Sequence, residues 1–205
     1  MMNYLVTIDG PSGVGKTTLG VLLAKELRSN FFSSGKLYRI IAKFLLDNPS
    51  SDINNISLVI DVDLRVTLNS FSYKDSELYT KNINSKSSEI AKIKEIRKIV
   101  SDCLLILAKK SRSGLIIEGR DMGTVVFPDA DLKIYLDADI EIRSQRRLKQ
   151  SDNSETKADL LERDNNDKNR RESPLKIPQN ALYINNSNMQ MEEVLNLVKE
   201  NLELL

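Results

Sequence analysis

The chain has 205 residues, with 30 basic against 29 acidic side chains, no histidine and one cysteine. That length supports one domain with a substantial core, with room for a small insertion but not for a second independent domain. A composition of 40% hydrophobic and 29% charged residues is that of a soluble globular chain, and the balanced charge supplies no global basic field for bulk nucleic acid. Without histidine, Ser-His-Asp and Cys-His mechanisms and histidine-ligated zinc are excluded. Cys103 by itself forms no internal disulfide and is expected to fill core. No apolar run approaches the roughly 18 residues of a membrane span. Asp9 and two glycines interrupt the first hydrophobic segment, against a secretory signal. A cytoplasmic location is therefore expected, with no membrane or nucleic-acid partner.

In chain order, NYLVTID at 3–9 reads as a short buried strand, and Leu19, Leu22, Leu23 and Leu27 give 16–28 a helical period. A second helix is expected over 35–46, stopped by Asn48-Pro49. The alternation of Val62, Leu64, Val66 and Leu68 predicts an antiparallel strand or hairpin within 58–73. From 85 to 110, Ile90, Ile93, Ile96, Val100, Leu104 and Leu107 predict one long amphipathic helix or two in series. Residues 115–119 and 132–138 read as buried strands. Helices over 139–149 and 156–171, a strand at 181–186 and a helix over 191–202 close the chain. The small polar stretch 150–157 is expected to be a mobile loop. Strands alternating with helices over the whole length predict an α/β fold, a parallel sheet covered on both faces.

The chain has eight glycines, and three of them, Gly10, Gly13 and Gly15, fall within six residues. They belong to GPSGVGKTT at 10–18, which matches G-x-x-x-x-G-K-[ST] after a strand and at the start of a helix. Backbone N–H groups in this stretch are suited to ring a polyphosphate at the helix N-terminus. Lys16 is placed to reach its outer phosphates, and the Thr17 hydroxyl to ligate Mg²⁺. The loop alone does not separate switches, motors and kinases. Further signals are SSGKLYR at 33–39 and Gly119-Arg120-Asp121-Met122-Gly123 at the carboxyl end of a strand, the usual ligand side of an open parallel sheet. Arg143, Arg146 and Arg147 share a helical face, as do Arg163, Asp167 and Arg170.

These blocks, DGPSGVGKTTL, SGKLYR, EGRDMGTVVFPDADLKIYLDA and ERDNNDKNRRESPLK, resemble in order those of the bacterial-type cytidylate kinases, P-loop nucleoside monophosphate kinases, over essentially the whole chain. The resemblance implies transfer of the ATP γ-phosphoryl to CMP or dCMP with Mg²⁺. It implies a single P-loop kinase domain over 1–205, with an inserted monophosphate-binding region at about 50–85 and a lid at about 148–157. Carried over by position, Gly10, Ser12, Gly13, Val14, Gly15, Lys16, Thr17 and Thr18 bind ATP, with Thr17 on the metal. Ser34, Arg97, Asp121 and Arg170 face cytosine, and Arg39 and Arg120 hold the acceptor phosphate. Ser88, Arg163 and Asp167 hold the sugar, and Lys16, Arg143, Arg146 and Arg147 act on the transferring phosphoryl. A monomer is expected. Thr17, Ser33, Tyr79, Asn180 and Asn185 depart from the family pattern, and the insertion is short and lacks a glycine turn.

Eight of the twelve arginines fall in these roles, and planar guanidinium forks suit phosphate bidentately. For Asp121 the plainer alternative is a helix cap. The acceptor phosphate has a second pKa near 6, so its oxygen is ionised at neutral pH and needs no general base. A kinase for UMP or GMP, or for an alcohol with Asp121 or Asp9 as base, stays open on these residues. So does a P-loop ATPase switch or nucleic-acid-associated module, although the charge balance and the 118–138 block speak against it. Closure of the insertion and lid on the bound acceptor is expected, to keep water from accepting the phosphoryl.

Overall fold

A computed structural model of the chain describes residues 4–61, 63–150 and 156–202. Strand β1 (Leu5–Asp9) runs through the glycine-rich turn into helix α1 (Lys16–Leu27), which ends at Arg28 in the left-handed region, φ 50°. Strand β2 (Asn30–Ser33) and helix α2 (Ser34–Asp47) follow. A 3₁₀ turn at Ile53–Asn55 leads to β3 (Leu58–Ile60) and β4 (Val66–Leu68). Three helices come next: α3 (Asp75–Leu78), α4 (Lys81–Ile90) and α5 (Lys94–Lys110). The chain then alternates as β5 (Leu115–Glu118), a π-turn at Met122–Val126, β6 (Leu132–Asp137), α6 (Ile140–Gln150), α7 (Lys157–Asn169), β7 (Leu182–Asn185) and α8 (Met191–Leu202).

The chain divides into two compact units, one built from the segments up to Phe32 and from Arg112 onward, the other from Ser33–Ser111. The first holds a five-stranded sheet of order β2-β5-β1-β6-β7, with β1 parallel to both β5 and β6, and β6 parallel to β7. Val6, Ile8, Ile116, Ile134 and Leu136 of its strands pack with Leu19 and Leu23 of α1 and with Val194 and Val198 of α8. Each is fully buried, worth about 1.5–3 kcal/mol per side chain removed from water. The register sets Ile8 beside Glu118 and Asp9 beside Tyr135, so the carboxyl ends of three strands align where the glycine turn leaves β1. This is the α/β fold that the strand–helix alternation predicts.

The second unit contains the expected hairpin, β3 antiparallel to β4. It turns without glycine because side chains do the work of turn backbone. The Asp61 carboxylate accepts from the N–H groups of Asp63 and Arg65, both at 2.9 Å, and Leu64 takes φ 61°. Asn69, at φ 47°, accepts from Ser57 N–H at 2.7 Å. Val62 lies outside the described residues. This unit is wider than the 50–85 insertion, because α2 and α5 belong to the same compact body as the hairpin.

Four details differ from the sequence expectations. The strand β2 is unforeseen, since within Asn30–Ser33 just Phe32 is buried, too short a pattern to signal. The four-residue α3 is likewise unforeseen. The 85–110 stretch is two helices in series, one of the two expected readings, but α4 starts earlier, at Lys81, under a Thr80 cap whose hydroxyl accepts from Ile83 N–H at 3.3 Å. Helix α7 stops at Asn169 with Arg170 as its C-cap, φ −63° and ψ 142°; the Arg170 N–H still reaches the Asn166 carbonyl and its Nη1 lies 3.5 Å from Asp167, so Arg170 stays beside Asp167 at the helix end. Of the expected loop at 150–157, residues 151–155 lie outside the described residues.

Candidate active site

Gly10, Gly13 and Gly15 adopt φ 147°, 79° and 96°, a region closed to most side chains. A Cβ at Gly10 would also stand 2.1 Å from the Leu136 carbonyl oxygen, so loop and β6 approach as closely as backbones can. Gly15 is the N-cap of α1 and offers no capping side chain, which leaves first-turn N–H groups to an anionic group at the positive end of the helix. Thr17 and Thr18 are exposed, while Ser12 and Val14 are buried. The Val14 carbonyl accepts from Asn186 Nδ2 at 2.8 Å.

Lys16 is buried, its Nζ donating to the carbonyls of Gly10 at 2.9 Å and Pro11 at 2.7 Å. Burial, reinforced by the charge of Arg120, holds its pKa well below the usual lysine value. An ammonium so placed gains most from a nearby polyanion. The Thr17 hydroxyl donates toward the Glu118 carboxylate, 2.9 and 3.0 Å from its two oxygens. A hydroxyl and a carboxylate at the mouth of a phosphate loop form an all-oxygen donor set, the chemistry that suits Mg²⁺ completed by phosphate oxygens and water. Among the described residues no three carboxylate, thiol or imidazole groups cluster as a self-sufficient metal cage. The pair therefore fits a metal that arrives with its nucleotide.

Asp9 accepts the N–H groups of Met122 at 2.9 Å and Gly123 at 2.7 Å, one on each carboxylate oxygen. Burial pushes its pKa up to about 6, with the two hydrogen bonds opposing. Both oxygens are thus occupied in fixing the π-turn. The capping is done by Asp9 across the sheet, while Asp121, the residue before the turn, makes no cap bond.

Asp121 instead stands 3.7 Å from Arg170 Nη2 with both side chains buried. Arg170 also lies 3.5 Å from Asp167 and donates through Nε to the Ser173 carbonyl at 2.7 Å. Arg120 Nε donates to Asp167 at 2.8 Å and Nη1 to the Gly119 carbonyl at 3.1 Å. Burial alone would raise the Asp167 pKa, yet Arg120, Arg163 and Arg170 together hold it below the usual aspartate value. Arg120, Asp121, Asp167 and Arg170 thus form one connected cluster, with Arg163 close enough to act on Asp167 through its charge.

The three arginines of α6 have different surroundings. Arg146 donates to Asn186 through its side-chain oxygen at 2.9 Å and its carbonyl at 3.0 Å. Arg147 is half-buried. Arg143 is buried against the Ala138 carbonyl, the Ser12 carbonyl and Asp164.

In the second unit, Arg39 is buried, its Nε donating to Asn84 Oδ1 at 3.0 Å. A Cβ on Gly35 would stand 2.9 Å from Arg39 Nη1. Arg97 donates to the Ala91 carbonyl at 3.1 Å and lies 5.8 Å from the Tyr38 ring, so its guanidinium fills the break between α4 and α5. Ser34 is buried at the start of α2. The Ser88 hydroxyl is buried and has no hydrogen-bond partner among the described residues.

Sequence reasoning missed Glu118, Asn84, Asp164 and Asn186. A carboxylate ending a buried strand was a usable signal for Glu118, whereas nothing local marks the other three. Two of the departures find local reasons: Asn180 occupies the left-handed region, φ 58°, and Asn185 accepts from the N–H and hydroxyl of Ser187 at 3.0 and 2.7 Å.

Residues 6–204 match the family model described as cytidylate kinase. The chain is 35% identical over 219 aligned positions to a cytidylate kinase of Fusobacterium nucleatum, covering 99% of each chain. It is 36% identical to that of Aeromonas salmonicida, covering 95% of this chain and 91% of the relative. Among solved structures, shikimate kinase from Bacteroides thetaiotaomicron superposes with a TM-score of 0.53 over 98% of both chains at 15% identity, a likeness of fold.

Proposed function

The chain belongs to the cytidylate kinase family, and we propose that its phosphate loop and arginine clusters transfer the γ-phosphoryl of ATP to the phosphate of CMP or dCMP, giving ADP and CDP or dCDP. Family membership points to the acceptor, and the observation that carries the donor side is the loop itself: three glycines in positive φ, a buried lysine on the loop carbonyls, and Thr17 beside Glu118.

An ionised oxygen of the acceptor phosphate attacks the γ-phosphorus as the bond to the β,γ-bridging oxygen breaks. That oxygen is deprotonated near neutral pH, so no side chain has to remove a proton. A chain without histidine is suited to such a reaction, in which positioning and charge stabilisation supply nearly all the rate. Loop N–H groups and Lys16 hold the polyphosphate, and Arg146 and Arg147 face the charge of the γ-phosphoryl in flight. Thr17 and Glu118 would hold Mg²⁺, which supplies neutralisation of the phosphate oxygens.

In the first unit, Asp121 and Arg170 are assigned to the cytosine edge, Arg120 to the acceptor phosphate, and Arg163 and Asp167 to the sugar. In the second, Arg39 is assigned to the acceptor phosphate, Ser34 and Arg97 to the base, and Ser88 to the sugar. The buried hydroxyl of Ser88 supports its share, because such a group calls for a partner. The proposal is of a monomer, placed in the cytoplasm where its nucleotides are. Among the described residues no helix is long and apolar enough to cross a membrane. A coupled assay of ADP release with CMP, dCMP, UMP, GMP and a sugar alcohol tests the reading. Equal ADP release with and without any acceptor would overturn it.

A further inference from the structure

Arg143 and Asp164 form a buried ion pair, with side chains 8% and 7% exposed, that grips a single residue of the phosphate loop from both sides. Asp164 Oδ1 accepts the Ser12 N–H at 3.2 Å, while Arg143 Nη1 donates to the Ser12 carbonyl at 3.1 Å. The remaining carboxylate oxygen, Oδ2, meets the same Arg143 Nη1. Arg143 is anchored in turn through Nε to the Ala138 carbonyl at 2.9 Å, at the entry to α6. Its own main chain underlies the next loop residue, since a Cβ on Gly13 would stand 2.9 Å from the Arg143 carbonyl oxygen.

Both polar groups of the Ser12 backbone are therefore held by one charge pair, drawn from α6 and α7. A loop that binds polyphosphate through its N–H groups works when those groups are already turned inward, because reorienting them on binding would oppose affinity and rate alike. Fixing the peptides on either side of Ser12 fixes the direction in which Gly13 and Val14 present theirs. A buried pair is seldom favoured over well-packed apolar side chains for stability alone, which directs attention to what this one positions.

From this geometry we infer that Arg143 and Asp164 are a positioning pair for the phosphate loop, and that Arg143 acts through Ser12 rather than on the transferring phosphoryl. The inference rests on the assignment of 10–18 to the donor polyphosphate. Arg146 and Arg147 are left as the α6 arginines directed to the phosphoryl.

The test is a double-mutant cycle with Arg143→Met, Asp164→Leu and the pair together, reading kcat, KM for ATP, the CMP dissociation constant and Tm. The paired variant replaces two charges by apolar groups of similar bulk, so its Tm should stay within a few degrees of wild type. It should lose at least tenfold in kcat/KM for ATP with the CMP dissociation constant within threefold. Each single variant should lose at least as much as the pair, because either change frees Ser12. Should a leucine or methionine variant fail to fold, the isosteric Asp164→Asn gives the same reading and should also lose at least tenfold for ATP. If Arg143 touched the phosphoryl directly, Asp164→Asn would leave activity intact while Arg143→Met abolished it, and that pattern overturns the inference. Wild-type kinetics in the paired variant overturn it too. Lys16→Met, run alongside, separates the two layers: if that variant keeps wild-type ATP kinetics, the donor-site assignment itself has failed.

Discussion

The ring of Tyr79 lies over the guanidinium of Arg39, its centroid 4.7 Å from the central carbon. Tyr79 is itself 53% exposed, so the ring forms an outer wall for a cation whose inner side is fixed by Asn84. A cation–π contact at such a site is worth about 0.5–1 kcal/mol, or about two- to fivefold in affinity. If Arg39 holds the acceptor phosphate, Tyr79→Ala should raise KM for CMP by about that factor and leave KM for ATP unchanged. Tyr79→Phe should restore it, since the ring face rather than the hydroxyl makes the contact. Steady-state kinetics with each substrate varied in turn check this.

Asp121 and Arg170 lie 3.7 Å apart and buried; if they read the base as proposed, they offer it an acceptor and a donor. Cytosine offers an amino group where uracil offers a carbonyl, and a buried carboxylate set against a carbonyl costs about 1–3 kcal/mol. CMP should therefore exceed UMP by at least about tenfold in kcat/KM. Asp121→Asn should shrink that ratio, chiefly through loss of CMP activity. The control Asp139→Asn, whose N–H bonds Ser187 in another loop, should leave it unchanged. Equal use of the two monophosphates by wild type would sink the assignment.

Lys16→Met should lower kcat by several orders of magnitude with the CMP dissociation constant little changed, since the residues proposed for the acceptor lie on other segments. Retention of more than about a tenth of wild-type kcat, a loss of about 1.4 kcal/mol, would contradict the role given to Lys16.

Thr17 and Glu118 share a hydrogen bond at the loop mouth. Glu118→Gln keeps the shape and removes the charge. The Mg²⁺ concentration for half-maximal rate should rise by about tenfold or more, while CMP binding measured without nucleotide stays unchanged. A magnesium titration of both proteins reads the difference.

Asp9 gives a pH dependence with a definite sign. Its folded pKa, about 6, lies above the ordinary 3.8, so between those values the folded state binds more protons than the unfolded one. Stability from this group is then present below pH 4 and lost as pH rises toward 6, by about 3 kcal/mol. The stability of wild type relative to Asp9→Asn should fall over that interval and level off above it. Urea unfolding of both proteins at pH 4, 5, 6 and 7 measures it; a difference independent of pH would remove the argument.

The phosphate loop was legible because its requirements are local: glycines at Gly10, Gly13 and Gly15 for positive φ, a lysine and a hydroxyl at fixed spacing, a strand before and a helix after. The alternation of apolar runs likewise marked the strands β1, β5, β6 and β7 and the helices between them, since burial on a sheet or along a helix face writes its own period into the chain. The hairpin without glycine was legible as alternation, although the side-chain turn chemistry of Asp61 and Asn69 that replaces glycine was not.

What the tertiary structure alone decided concerns partners. The i, i+3 and i+4 spacing of Arg143, Arg146 and Arg147 placed three arginines on one face, and the family resemblance implied one role for them, while the fold sets Arg143 against Ser12 and Asp164 and Arg146 against Asn186. Asp9 met Met122 and Gly123 more than a hundred residues away, and Thr17 met Glu118 over a similar span. Arg170 lay in register with Asp167 by count and meets it at 3.5 Å, but its second partner, Asp121 at 3.7 Å, comes from a segment nearly fifty residues away. Periodicity tells which side of an element faces inward. Which buried charge answers which is settled when strands and helices remote in sequence come into contact, because only there does the low dielectric make an unpaired charge costly enough to select its partner.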